Sequence, residues 1–324
     1  MRIVQKFGGS SLADLSRLRR AAALCLEAKC RGNEVLAVVS AAGDSTDEMI
    51  ALARRITPRP PARELDALLA TGEQRSAALL AMMLRQLGAP ARSFSGWQAG
   101  LITEEKHGDA QLLLAAPRRL TESLAAGEIP VVAGFQGVTP AGDISTLGRG
   151  GSDTTAVALA AALEAGRCEI YTDVDGIYTA DPRLVEGAKL LGAVDFRDML
   201  ALAQAGSQVL HAESVRLAMA EQQPIRLLSA FTASPGSEVR ALSSDERPPL
   251  AGVTRDGEAH SVTLVGRDAP ACADALLRGG ALPAELVEDC VILGGSACFH
   301  VRPGGELAVL RAVHLAVFEE AATE

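Results

Sequence analysis

Short strand-like runs, mostly of uninterrupted apolar residues, recur at 3–7, 35–40, 129–134 and 169–172, separated by Ala/Leu-rich helical stretches. A strand with one wet face alternates apolar and polar residues, whereas a continuous apolar run belongs to a strand covered on both faces. The pattern therefore predicts an α/β fold, a three-layer α/β/α sandwich around a mainly parallel sheet. Helical patterns at 12–30, 47–55, 62–71, 73–87 and 151–165 supply the outer layers. Ligands of such sheets lie across the carboxyl ends of the strands, so the loops that follow them carry the chemistry.

Around 229–249 the composition shifts to Ser, Pro and Glu, with Pro235-Gly236 and Pro248-Pro249 as breakers. This places a domain boundary there, with a large domain over 1–235, a linker over 236–249 and a small domain over 250–324. In the small domain, strands at 261–266, 291–293 and 297–301 combine with a helix at 269–278. A turn at Pro303-Gly304-Gly305 leads into a closing helix at 306–318. The order β-α-β-β-α suggests a small α+β ligand-binding module.

Composition narrows the function. The chain is 324 residues long, 48% hydrophobic and 22% charged, enough to bury a core. One Trp, two Tyr and seven Phe are too few for an aromatic nucleic-acid platform. The net charge of −9 argues against nucleic-acid binding and against a basic membrane anchor. No apolar stretch approaches membrane-spanning length, and the amino-terminal residues read as a strand and a turn rather than a signal peptide. The cysteines at 25, 30, 168, 272, 290 and 298 form no Cys-x-x-Cys pair and read as buried free thiols of a cytoplasmic protein. The five histidines are scattered, so no metal site is expected.

Three glycine-rich elements stand out. Lys6-Phe7-Gly8-Gly9-Ser10-Ser11 follows the first strand, where glycines let backbone N–H groups approach an anion and Lys6 adds a full charge. The same composition also serves a purely structural strand-to-helix turn, and it matches neither a P-loop nor a dinucleotide fingerprint. Thr146 to Thr155 holds Arg149 between glycines at the start of an Ala-rich helix. Arg149 offers a planar fork suited to a carboxylate, while Ser152 or Asp153 could simply cap the helix. The third element runs from Tyr171-Thr172-Asp173 through Asp175-Gly176-Ile177-Tyr178 to Asp181-Pro182-Arg183. Asp-Gly and Asp-Pro are turn chemistry, but both tyrosines of the chain fall here, and a nucleotide beside them would explain the collection.

Taken in order, these elements resemble the signature segments of aspartokinases, in the amino-acid kinase superfamily. Val38 to Asp47 is similar to that family's second-strand loop, and Gly72-Glu73 to its substrate-side glutamate; the likeness covers about 1–235. The resemblance implies transfer of the ATP γ-phosphoryl group to the side-chain carboxylate of L-aspartate, in lysine and threonine biosynthesis. By position in the motifs, Lys6 would stabilise the transferring phosphoryl group. Asp153 would organise the site, and Glu73 would pair with the substrate ammonium. Arg149 would grip a substrate carboxylate, with Ser40 and Thr46 nearby. Gly8, Gly9 and Ser10 would cradle phosphate, and Thr172, Asp173, Tyr178, Arg183 and Gln208 would line the nucleotide site. Mg2+ would come with ATP, held mainly through phosphate oxygens.

Two departures qualify the resemblance. Gln208 stands where these kinases usually carry Lys, and Ala212 where Pro is usual, which implies weakened nucleotide binding. The segment 250–324 is about half what the family's usual pair of ACT domains needs, and it resembles only the last of them. The resemblance thus implies weak or absent feedback by lysine and threonine, and a small domain that supports a homodimer. Two other readings are a kinase for another acceptor, such as glutamate or an N-acylated amino acid, and a catalytically weakened partner subunit. Glu73 and Arg149 together favour a free α-amino acid.

Overall fold

The computed structural model describes residues 1–319, so the last five residues of the anticipated 250–324 module lie outside the described residues. The chain opens with β1 (Arg2–Phe7), a 3-10 turn (Gly9–Leu12), α1 (Leu15–Cys30), β2 (Glu34–Val39), α2 (Ser45–Ile56) and α3 (Ala62–Gln86). Next come β3 (Ala91–Phe94), β4 (Leu101–Thr103), β5 (Leu112–Ala115), α4 (Arg118–Ala125) and β6 (Ile129–Ala133). After β7 (Gln136–Val138) and β8 (Ile144–Thr146) follow α5 (Gly151–Ala162) and β9 (Arg167–Thr172). The middle of the chain forms β10 (Ile177–Tyr178), β11 (Leu190–Leu191), β12 (Ala193–Asp195), α6 (Phe196–Gln204), α7 (Ala212–Ala220), β13 (Ile225–Ser229) and β14 (Ser237–Arg240). It ends with β15 (Gly252–Asp256), β16 (Ser261–Val265), α8 (Ala269–Gly279), β17 (Val287–Leu293), β18 (Ser296–Val301) and α9 (Glu306–His314), continued by a wider π turn (Leu315–Glu319).

Two compact units result. The first holds Met1–Asp175 and Ala220–Ser234, and the second holds Gly176–Met219 and the residues from Pro235 on. In the first unit the strand order is β13-β9-β1-β2-β6-β3, with every pairing parallel. Side chains alternate along each strand, so one set faces each helix layer. Phe7, Val35, Ala37, Val39, Ile129, Val131 and Ala133 pack with Leu18, Ala22 and Cys25 of α1 and Leu80 and Leu84 of α3. The intervening Val4, Leu36, Val38 and Val132 are as deeply buried, on the side where α4 and α5 contact the sheet. Both faces are covered, which is why the strand sequences are apolar throughout. A small second sheet, β5-β4-β7-β8, was not legible because its strands are only three or four residues long.

In the second unit β12 pairs with β14 in parallel, and an antiparallel sheet runs β15-β16-β18-β17. Val253, Val262, Leu264, Phe299 and Val301 of that sheet pack with Ala273 and Leu276 of α8 and Val309, Leu310 and Val313 of α9. Ala180 and Val185 join the same core, which draws residues 176–219 away from the 1–235 domain expected from composition.

Three other expectations change. The helical patterns at 62–71 and 73–87 are one continuous helix. The 236–249 stretch is no free linker: it contains β14, and Arg247 donates to Asp198 at 2.8 Å. Of the cysteines only Cys25 and Cys168 are fully buried, and Cys30 is exposed, because a cysteine on a helix faces inward only where the apolar stripe passes.

Candidate functional site

The carboxyl ends of β1, β2 and β9 carry most of the first-unit candidates. On β1, Gln5 and Phe7 face α1, which turns Lys6 to the α5 side of the sheet. There its ammonium pairs with the Asp153 carboxylate at 2.6 Å, both side chains being about nine-tenths buried. Asp153 is the third residue of α5, whose N-cap is Gly150 in a left-handed conformation (φ 74°) with no side-chain cap. Neither Ser152 nor Asp153 therefore serves as the cap, and the amino end of the helix has no side-chain hydrogen-bond cap. An uncapped helix start beside a lysine favours negative charge.

The Gly8-Gly9-Ser10 turn lies against the loop after β2. Gly43 N–H donates to Gly9 O at 3.0 Å, Ser40 N–H donates to Phe7 O at 3.1 Å, and Gly8 N–H donates to Tyr171 O at 3.2 Å. A Cβ on Gly9 would stand 2.8 Å from Ala41 O, so only glycine allows this approach. The Lys6 ammonium hangs over Gly8, 3.7 Å from where a Cβ would be. Thr172 and Asp173 follow β9, the strand paired beside β1, and the Thr172 hydroxyl donates to Asp173 at 3.0 Å.

Glu73 enters from α3. Gly72 makes this possible, since a Cβ there would lie 2.9 Å from Ala41 Cβ and 3.0 Å from Met49. The close approach lets Ala41 N–H donate to Glu73 Oε1 at 2.9 Å, while Glu73 Oε2 is buried with no hydrogen-bond partner. Burial raises the carboxyl pKa to about 7, against the lowering effect of the Ala41 N–H. Ser40 and Thr46 are half-buried on the same loop and the start of α2. Arg149 is exposed on the glycine-rich loop.

The remaining candidates belong to the second unit. Tyr178 is half-buried in β10, and the exposed Arg183 guanidinium pairs with Asp181 at 2.8 Å. Gln208 is exposed between α6 and α7. Among the described residues no group of three or more His, Cys, Asp or Glu could hold a metal ion, and no helix is long and apolar enough to cross a membrane.

Residues 1–229 match the amino acid kinase family. The chain belongs to that family. Aspartokinases are among its relatives. That of Mycolicibacterium smegmatis is 51% identical over 268 residues, covering 82% of this chain and 64% of the relative. That of Thermus thermophilus is 45% identical over 264 residues, with 82% and 65% covered. The chain thus spans a little under two thirds of the length of these curated relatives. The crystal structure of aspartate kinase from Synechocystis superposes with a TM-score of 0.69 at 39% identity, over 93% of this chain and 52% of that one. Aspartokinase III of E. coli, in complex with lysine and aspartate, superposes at 0.79 over 98% and 99%, and at 23% identity it speaks for the fold alone.

The first unit also holds a carboxylate that motif reading passed over. Asp66, 1% exposed on α3, accepts from the Thr146 hydroxyl (2.7 Å), Thr146 N–H (3.1 Å), Gly108 N–H (3.0 Å) and His107 Nδ1 (3.0 Å). It fastens the end of β8 just before the Gly148–Gly150 loop. A signal existed: Asp66 and Glu73 share the apolar stripe 66, 69, 70, 73, 77 of one helix, where an unpaired acid is costly. Phe135, in the turn after β6, holds φ at 67°, an unfavourable value for a bulky residue. Its N–H donates to the Thr155 hydroxyl at 3.2 Å and its carbonyl accepts from Leu147 N–H at 2.9 Å, so α5 and the β8 end hold the turn in place.

Proposed function

We propose that this chain transfers the γ-phosphoryl group of ATP to the side-chain carboxylate of L-aspartate, giving 4-phospho-L-aspartate and ADP. The observation that carries this reading is the buried Lys6–Asp153 pair at 2.6 Å, set between a glycine turn and an uncapped helix start. A substrate carboxylate oxygen attacks the γ-phosphorus as the bond to the ADP oxygen breaks. The attacking group is already deprotonated, so no general base is required. The demand is to neutralise charge and align the two reactants.

Lys6 meets the first demand, with Asp153 holding its ammonium in place. Gly8, Gly9 and Ser10 cradle phosphate oxygens, with the N–H groups of Gly9 and Ser10 as the donors, since that of Gly8 is bonded to Tyr171 O. The orphan Oε2 of Glu73 accepts the substrate ammonium, Arg149 takes a carboxylate in its fork, and Ser40 and Thr46 add hydrogen bonds. Thr172, Asp173, Tyr178, Arg183 and Gln208 bind the nucleotide. The donor set, without a carboxylate cluster among the described residues, fits a magnesium ion that arrives on the nucleotide. When bound, that ion would neutralise phosphate charge.

Residues 252–319 read as an ACT-like module supporting a homodimer. Exposed Val291, Ile292 and Leu293 on the edge strand β17 favour that role. The free thiols fit a reducing cytoplasm, and the product suits lysine and threonine biosynthesis. Gln208 favours one second reading, a nucleotide-binding partner subunit with little turnover. The test is Lys6→Met. Loss of a positioned charge on the transferring group should lower kcat by about 100- to 1,000-fold. A variant within a few-fold of the parent would contradict the role given to Lys6.

A further inference from the structure

The segment from Tyr178 to Lys189 is fastened to the carboxyl-terminal helix by both side chains and backbone. Thr179 lies near its start. Its hydroxyl accepts from Lys189 N–H at 2.9 Å and lies 2.9 Å from His314 Nε2. The Glu319 carboxylate, which can only accept, faces Nδ1 at 3.0 Å, so a neutral imidazole carries its hydrogen on Nδ1 and Nε2 accepts from the Thr179 hydroxyl. His314 is fully buried and stacked on Phe318 with ring centroids 5.0 Å apart.

The backbone of the segment is held as firmly. Thr179 O accepts from Val253 N–H of β15 at 2.7 Å, Leu184 O accepts from Arg311 Nε at 2.9 Å, and the Lys189 ammonium donates to Phe318 O at 3.0 Å. The Glu319 carboxylate sits where a Cβ on Gly187 would be. Ala180 and Val185 bury their side chains with Val309, Leu310 and Val313 of α9. A module that served only to join two copies of the chain would have no need of this many bonds to one loop.

We infer that α9 and its π turn are part of the nucleotide-binding apparatus. His314 is a positioning residue that acts through Thr179 to hold Tyr178 and Arg183 where ATP meets them. The inference rests on the assignment of Tyr178 and Arg183 to the nucleotide. Because a neutral imidazole closes the chain of bonds, whatever displaces α9 loosens the ATP side of the reaction and spares the aspartate side, whose residues lie in the first unit.

The test compares His314→Leu, His314→Gln, Thr179→Val and the surface change Arg311→Met, each checked for folding by circular dichroism. ATP affinity is measured by direct titration, and KM for ATP and for aspartate by steady-state kinetics. Loss of the buried bond should raise the ATP Kd and KM about 10-fold in His314→Leu and Thr179→Val. The aspartate KM should stay within about 2-fold, and His314→Gln, which keeps an acceptor for the hydroxyl, should recover most of the affinity. A double variant of His314→Leu with Thr179→Val should cost less than the sum of the two single ones, because the bond between the two residues is lost in both.

Unchanged ATP affinity in folded His314→Leu overturns the inference, as does an equal loss for both substrates. If His314→Leu does not fold, Arg311→Met decides, with weaker ATP binding expected and no change contradicting. A parent chain that binds ATP without forming acyl phosphate would contradict the kinase reading, and the affinity comparison would still judge His314. A parent chain that binds no nucleotide would overturn both.

Discussion

Glu73 shows how one residue can be legible by motif and illegible by physics. On an amphipathic helix a glutamate is ordinarily solvated, and only the family likeness singles this one out. The structure supplies the physical reason, since Gly72 lets α3 approach Ala41 and carries the carboxylate into a dry site with one oxygen unmatched. Its folded pKa, about 7, lies above the ordinary glutamate value. A raised value means that the folded state retains its proton longer than the unfolded chain. The stabilisation is thus complete below the ordinary value and is lost as pH rises through about 7. In the role proposed for Glu73, pairing with the substrate ammonium needs the ionised form. The pH profile of kcat/KM for aspartate should therefore rise to a plateau above about 7, and Glu73→Gln should abolish the rise while increasing KM. A profile that is flat between pH 5.5 and about 8 in the parent chain would contradict this. Lys6 and Asp153 were legible as a pair of motif residues, but their direct contact was not. It depends on the pleat of β1 and on Gly150 taking a conformation that leaves Asp153 out of the cap.

At the scale of elements, long apolar runs and long helices were readable from sequence and the short pieces were not. The parallel strands β1, β2, β6 and β9 declare themselves because both faces are covered. Strands of three residues such as β7 and β8 have no room for a period, and β15 carries Thr254-Arg255-Asp256 at its polar end. Gly72 suggested a break in α3 because glycine is a poor helix former, yet close packing retains it within one continuous helix. The loop between α6 and α7 carries the clearest departure from the family pattern. Gln208 is exposed there, and a lysine in its place would add a charge-assisted contact to phosphate. Gln208→Lys should lower the ATP KM about 10-fold or more, and an unchanged KM would remove Gln208 from the nucleotide site.

For the whole molecule, composition placed a boundary near 235, whereas residues 176–219 sort with the carboxyl-terminal unit. Ala180 and Val185 look like ordinary turn neighbours until the core they enter is known. Among the described residues, one four-stranded antiparallel sheet with two helices forms the module from 252 on. The central claim is the acceptor, and it is tested most directly by trapping acyl phosphate with hydroxylamine in the presence of Mg-ATP and one candidate at a time. The account predicts hydroxamate with aspartate and none with glutamate, N-acetylglutamate or no acceptor. Hydroxamate with another acceptor in preference to aspartate, or none with any acceptor despite measurable ATP binding, would contradict it.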